Sequence, residues 1–161
     1  MSNGIGFNLR LLFGGSHESP DSVAAAVGKT IKAITLADGE SDESTGMAFL
    51  FTDDTAVIFY DDARSCCEHR FMTTDDDLAP FVGATFMDVA LSEKNAPDGE
   101  GQSEWVDYEE HEWCFVDFIT SMGVFTSTMH DRHNGYYGGI SLAARVITAD
   151  EFKALTPAAK N

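Results

Sequence analysis

Short apolar runs recur along this chain, each closed by a polar turn. Residues 47–51 and 113–119 have few polar breaks, which predicts strands covered on both faces. Each leads into a turn, Phe51-Thr52-Asp53-Asp54-Thr55 or Ile119-Thr120-Ser121-Met122-Gly123, and then a second apolar run at 55–60 or 124–129. Both arrangements predict hairpins. Residues 30–36 and 85–91 supply two further strands. Ahead of each, an acidic residue can cap a short helix and a Gly after Val can end it. Pro80 limits the second of these helices to a turn or two. The expected fold is therefore mostly β (α+β), with antiparallel sheets and two short crossover helices.

The pattern is stated twice. Asp21-Ser22-Val23-Ala24-Ala25-Ala26-Val27-Gly28-Lys29-Thr30 aligns with Asp76-Asp77-Leu78-Ala79-Pro80-Phe81-Val82-Gly83-Ala84-Thr85, at the offset from Gly28 to Gly83. The hairpin turns align at the larger offset from Thr52 to Thr120. Polar residues 92–104, with Asn95, Pro97, Asp98, Gly99 and Gly101, fit a loop insertion that accounts for the difference. Pseudo-repeats at about 21–72 and 75–142 follow, inside one domain at 21–148. Residues 1–20, ending at Pro20, read as an N-terminal arm, and 149–161 as a short helix with a frayed tail.

Composition narrows the function. The chain has 161 residues, 43% of them apolar, with twelve Phe, which is enough for a packed core. A net charge of −17 repels polymeric nucleic acid. No apolar run is long enough to span a membrane, and no signal peptide is recognisable. Three cysteines without a secretion signal point to reduced thiols in a cytosol.

Two segments concentrate the remaining chemistry: Ser65-Cys66-Cys67-Glu68-His69 and His133-Asn134-Gly135-Tyr136-Tyr137-Gly138-Gly139. Both follow equivalent hairpins. Cys66, Cys67, His69, His111, Cys114, His130 and His133 are all capable zinc ligands. Alternation along a strand separates His111 from Cys114 and Cys66 from Cys67, whereas His130 and His133 can converge in an irregular turn. No spacing has the force of paired CxxC motifs, so no metal site and no cofactor is assigned. A Cys–His nucleophile would need a lowered thiol pKa, and Glu68 opposes Arg64 and Arg70 in supplying it. Gly28-Lys29-Thr30 lacks the earlier glycine of a phosphate loop. Asp61-Asp62 and Asp75-Asp76-Asp77 lack calcium-loop spacing, and capping and solvation account for the triplet. Asn134-Gly135 is turn chemistry, yet its amide with Tyr136 or Tyr137 can also form a recognition edge for a planar ligand. Arg70 or Arg132 can neutralise a phosphate there.

The succession Val27-Gly28-Lys29-Thr30-Ile31, a hairpin, Tyr60-Asp61, Ser65-Cys66-Cys67-Glu68, Asp77-Leu78, Val82-Gly83 and Asn134-Gly135-Tyr136-Tyr137 resembles an uncharacterised family of small bacteriophage and prophage proteins. The resemblance covers roughly residues 22–147. It implies a phage or prophage origin and no particular activity. His130, His133 and the long acidic loop at 92–110 depart from the family pattern.

The resulting expectation is a non-enzymatic phage accessory protein, without catalytic residues, acting in the host cytoplasm. It would bind a small ligand, a nucleotide among the candidates, or a host protein. Ligand-binding residues would be Cys66, Cys67, Glu68, Arg70, Asn134, Gly135, Tyr136 and Tyr137, in a cleft between the two motifs. The alternative is a virion-associated structural protein, forming homo-oligomer or virion contacts through residues 1–20; a zinc- or thiol-dependent enzyme and an acidic DNA mimic rank below both.

Overall fold

The structure, a computed structural model, describes residues 18–62, 68–95, 102–135 and 140–159. Cys66, Cys67, Tyr136 and Tyr137 lie outside the described residues, as does most of the expected arm. Among the described residues, nine strands form two antiparallel sheets. The first has the order β1 (Ile31–Asp38), β2 (Thr45–Phe51), β3 (Thr55–Asp61) and β9 (Leu142–Thr148). The second has the order β4 (His69–Thr73), β8 (Gly123–His133), β7 (Glu109–Thr120) and β5 (Phe86–Leu91), with β6 (Gln102–Val106) also on β7. The expected hairpins are present as β2–β3 and β7–β8. The fourth strand of each sheet comes from the other part of the chain: β4 follows β3 but pairs with β8, and β9 follows β8 but pairs with β3.

Alternation decides which side chains meet between the sheets. Met47, Phe49, Phe51, Val57 and Phe59 of the first sheet face Phe86, Val116, Phe118, Phe125 and Met129 of the second, all buried. Strand β2 is buried on its other face too, where Ala48, Leu50, Ala56, Ile58 and Ile147 pack under Phe152 and Leu155. Strand β7 is not, contrary to its apolar reading. Only every second residue from Cys114 onward is buried, and Trp113, Phe115 and Ile119 lie half-buried on the outer face. Across the strand pair they meet His130, Thr128 and Val124 of β8, side chains that pack well against them.

Among the described residues there are two α-helices. Helix α1 (Glu18–Ala26) begins within the expected arm, with Pro20 in its first turn, where a missing N–H breaks no helical bond. Buried Ser19 accepts a hydrogen bond from the Ala144 amide of β9 (2.9 Å). The second expected crossover helix is only a 3-10 turn, Ala79–Phe81, with Pro80 near its start. Backbone bonds then zip the two crossovers together. Gly28 N–H donates to Phe86 O (2.9 Å) and Gly83 N–H to Ile31 O (2.8 Å). Ile31 N–H donates to Ala84 O (2.8 Å) and Phe86 N–H to Lys29 O (2.9 Å). Both glycines have positive φ, 87° and 94°, the conformation that ends each turn.

Helix α2 (Ala149–Ala154) lies over the second apolar cluster. Thr148 caps it, its hydroxyl accepting from Glu151 N–H (3.0 Å) while Glu151 accepts from Thr148 N–H (3.2 Å). Thr148→Ala is expected to lower stability by about 1 kcal/mol in urea denaturation, the usual loss for an N-cap hydroxyl. The chain is held beyond this helix as far as Ala158. Asp38 N–H donates to Thr156 O and Ala158 N–H to Leu36 O, which fastens the chain along the edge of β1.

The expected loop at 92–104 ends inside β6, so the acidic insertion is partly a hairpin arm. Gln102 to Val106 pairs with the first half of β7, beyond the core, where neither face demands apolar alternation. Asn95 bridges the step from β5 to β6: its side-chain amide donates to Phe115 O and accepts from Phe115 N–H, both at 2.8 Å.

Candidate functional site

On the inner face of the second sheet, apolar rows give way to charged ones toward one end of the sandwich. Met72, Met129 and Cys114 lie side by side across β4, β8 and β7. One tier outward the same three strands present Arg70, Asp131 and Glu112, and the next tier presents His133 beside Glu110. The period of two puts charged groups on the core face here, because the first sheet no longer covers them with Phe.

Arg70 is the hub. Its Nε and Nη2 donate to the two Glu68 carboxylate oxygens (3.1 and 2.8 Å), and its Nη1 donates to Asp61 Oδ2 (2.8 Å). Asp131 Oδ2 is 3.2 Å from Nη2. The Arg70, Glu68 and Asp131 side chains are almost wholly buried. Burial opposes the guanidinium charge, but the bonds to Glu68 and the proximity of Asp61 push its pKa further up. Arg70 therefore cannot serve as the free phosphate-binding cation expected from the sequence, since its donors are committed to carboxylates.

Asp131 has a different balance. It is fully buried, and neither carboxylate oxygen makes a hydrogen bond, Arg70 lying in ion-pair contact off the bonding axis. Burial pushes its pKa up to about 6 against the opposing pull of Arg70, with Glu68 adding to the rise. His133 Nε2 stands 4.0 Å from Asp131 Oδ2, 2.6 Å from Glu112 Oε1 and 3.9 Å from Glu110 Oε2. Its Nδ1 accepts the Gly135 N–H (3.0 Å), so in the neutral ring Nε2 carries the proton and donates it to Glu112. Gly135 has φ 93°, and a Cβ there would fall 2.6 Å from Trp105 Cη2, so the β6 arm packs against this turn.

The expected site is thus half described. Glu68 and Arg70 bond directly, and Gly135 joins them through His133 and Asp131. Asn134 is exposed on the same turn. Ser141, beyond Tyr136 and Tyr137, donates its N–H to Asp61 Oδ1 (3.3 Å). A small pocket beside Asp61 and Arg70, of about 10 Å³, has room for about one water and not for a nucleotide. Asp61, Glu110, Glu112 and Asp131 are the partners that sequence reading passed over as site residues. The signal for Asp131 was present: it shares an inward parity with Phe125 and Met129.

The zinc candidates are divided. His69, His111 and His130 stand on the outer face, while Cys114 and His133 face inward. The separation of His111 from Cys114 is as the alternation requires. His130 and His133 do not converge, because β8 stays regular through both and an odd spacing sends them to opposite faces. Burial pushes the Cys114 thiol up to about 12, leaving it protonated and inert.

On the outer face, His130 bonds His111 (2.8 Å) and Thr73 (2.8 Å), stacks on Phe71 and lies near Arg132, while His69 also packs on Phe71. Burial, then His111, then Arg132, lower its pKa from 6.5 to about 4. The unfolded chain therefore binds the proton more readily than the folded one. This contribution to stability is complete above about pH 6.5 and is lost as pH falls toward about 4. His130→Gln is expected to flatten that part of the stability–pH profile measured by urea denaturation; an unchanged slope would contradict the assignment.

These features define a two-sheet antiparallel β protein with an acid-rich, partly buried polar site at one end. The chain belongs to the family described as Domain of unknown function (DUF7448), whose model matches residues 24–143. No curated protein and no solved structure matches it. Among the described residues, no helix is long and apolar enough to cross a membrane.

Proposed function

We propose that this is a non-enzymatic binding protein, a phage or prophage accessory factor acting in the host cytoplasm. It holds a small ligand or host factor at the acid-rich end of the sandwich. The observation that carries this reading is the convergence of Glu68–Arg70 and His133–Gly135, far apart in sequence, on one network around the buried Asp131 carboxylate. In this reading the two halves derive from one duplicated unit, so that equivalent segments meet at the site. The crossover bonds keep that exchange: Gly28 to Phe86 becomes Gly83 to Ile31 when the halves are swapped. Register shifts at Ile31/Ala33 and Phe86/Asp88 fall at matching places.

Among the described residues, the carboxylates of Asp61, Glu68, Glu110, Glu112 and Asp131 surround the Arg70 guanidinium and the His133 imidazole. That balance favours a cationic or neutral ligand over the nucleotide considered from sequence. Native mass spectrometry after incubation with a host small-molecule extract is the test. A retained mass that Asp131→Asn loses supports the reading; no retained mass and no thermal shift defeats it.

A second observation favours a protein partner. At the tip of the β6–β7 arm, Trp105, Val106 and Tyr108 are exposed, Tyr108 almost completely, and Tyr108 holds φ 68°. Aromatic side chains displayed on a projecting hairpin suit a host or virion contact. Presence of the protein in purified particles, lost on Trp105→Ala/Tyr108→Ala substitution, would favour the virion reading.

A further inference from the structure

We propose that His133 is a proton-operated latch on the Asn134–Gly135 turn at the acid-rich end of the sandwich. The latch rests on the binding reading only in naming a regulation of that site, and its test needs no ligand. Contacts on the two sides of the ring carry it. On one side, Nδ1 accepts the Gly135 N–H at 3.0 Å. On the other, Nε2 stands 2.6 Å from Glu112 Oε1. A ring nitrogen that accepts cannot also carry a proton, so the bond to Gly135 requires the neutral imidazole.

The surroundings favour the charged ring instead. From β7, Glu112 and Glu110 face Nε2, Glu110 at 3.9 Å, and from β8 itself Asp131 faces it at 4.0 Å. Strand β6 places Ser103 and Trp105 on this face and Glu104 on the other. The Arg70 guanidinium, from β4, is engaged by Asp61 of β3, by Glu68 and by Asp131, and Arg132 lies on the outer face over Phe71. His133 is therefore pulled two ways: the carboxylates favour a second proton on the ring, and the Gly135 N–H opposes it. Histidine is the side chain that ordinarily changes charge between about pH 5 and pH 8.

A second proton arriving at Nδ1 confronts the Gly135 N–H, and the turn is the part that yields. His133 is buried and held through Nε2 by Glu112, whereas Asn134 and Gly135 are exposed, so the released N–H can bond water. Rotating the peptide between Asn134 and Gly135 replaces that N–H by the Asn134 carbonyl, which accepts from the new Nδ1–H. Such a flip takes φ of residue 135 from the observed 93° to negative values, and glycine adopts both signs about equally well. A Cβ on Gly135 would fall 2.6 Å from Trp105 Cη2, so the flip also reaches the indole on the β6 arm. Proton uptake thus adds positive charge among the carboxylates and re-presents the Asn134 turn in one step.

A titration of ¹⁵N-labelled full-length protein from about pH 8 to about pH 5 tests the latch. At the upper end the His133 ring should be neutral with its proton on Nε2. As the ring gains its second proton, the Gly135 amide should shift strongly with the same midpoint. In Trp113→Phe protein, where Trp105 is the remaining tryptophan, its fluorescence should change at that midpoint too. Glu112→Gln keeps an acceptor for Nε2–H but removes a charge, so both the Gly135 and the Trp105 midpoints should move together to lower pH. His133→Gln should abolish the Gly135 titration, and His130→Gln, on the outer face, should leave it unchanged. If His133→Gln does not fold by circular dichroism, the wild-type and Glu112→Gln titrations decide.

The latch is overturned if the ring gains its proton while the Gly135 amide stays still, or if the neutral ring carries its proton on Nδ1. A ring still neutral at about pH 5 also overturns it. So does a Gly135 shift whose midpoint differs from the ring's, as it would if its source were Asp131, which burial pushes up to about 6. Loss of the latch leaves the binding reading standing, because that is judged by capture of a mass from host extract. Absence of a captured mass leaves the latch standing in turn.

Discussion

Phe49→Ala should lower stability by about 3–5 kcal/mol, the range for removing a large aromatic ring from a close-packed core. Phe49 is wholly buried, and its ring centroid lies between 5.2 and 6.4 Å from those of Phe51, Phe59, Phe86, Phe118 and Phe125. Those rings come from β2, β3, β5, β7 and β8, so the void opens where the two sheets meet and neither can close it alone. Against a domain stability of about 5–15 kcal/mol, the loss removes a large share of the total. Urea denaturation should show a much lower midpoint with an unchanged slope. Met122→Ala, at an exposed hairpin turn, should stay within about 0.5 kcal/mol. Similar losses for the two variants would mean that Phe49 does not occupy the centre of the core.

Arg70→Met should be comparably severe, for an electrostatic reason. It removes the guanidinium that pairs with Asp61, Glu68 and Asp131 in a buried place. Breaking a buried ion pair from one side typically costs about 3–5 kcal/mol. Arg70→Lys should recover only part of this, since an ammonium cannot grip both Glu68 oxygens and reach Asp61 at once. The Arg70→Met deficit relative to wild type should shrink as pH falls from 7 to 5, because unpaired buried carboxylates take up protons and lose their charge. A deficit independent of pH would place the damage in packing instead of charge.

Local pattern made much of this architecture legible. Polar turns between apolar runs marked both hairpins, and the paired Val–Gly elements marked the two crossovers that bond to each other. Three features escaped. Strand β7 looked doubly covered because Trp113 and Phe115 are apolar, yet both are only half-buried, beside His111 of the same strand and His130 and Thr128 of β8. Strand β6 was hidden in a polar loop because, beyond the core, pairing proceeds without apolar alternation. The second helix shrank to a 3-10 turn where Pro80 and the bond from Gly83 to β1 leave no room for more.

The site was legible as a location more than as chemistry. Glu68, Arg70 and the Asn134–Gly135 turn were found from composition and position. Their partners, Asp61, Asp131, Glu112 and Glu110, are distant in sequence or look like ordinary surface acids. Only the register of β4 on β8 and of β8 on β7 brings them inward. That register also commits Arg70 to carboxylates and so removes it as a phosphate anchor.

Asp131 is the joint between the two segments, facing Arg70 on one side and His133 on the other. A double-mutant cycle of Arg70→Met and Asp131→Asn, read by urea denaturation at neutral pH, tests this most directly. Asp131→Asn should restore part of the stability lost by Arg70→Met, with a coupling of at least about 1 kcal/mol. Losses that add within about 0.5 kcal/mol would mean that the two side chains do not share a site.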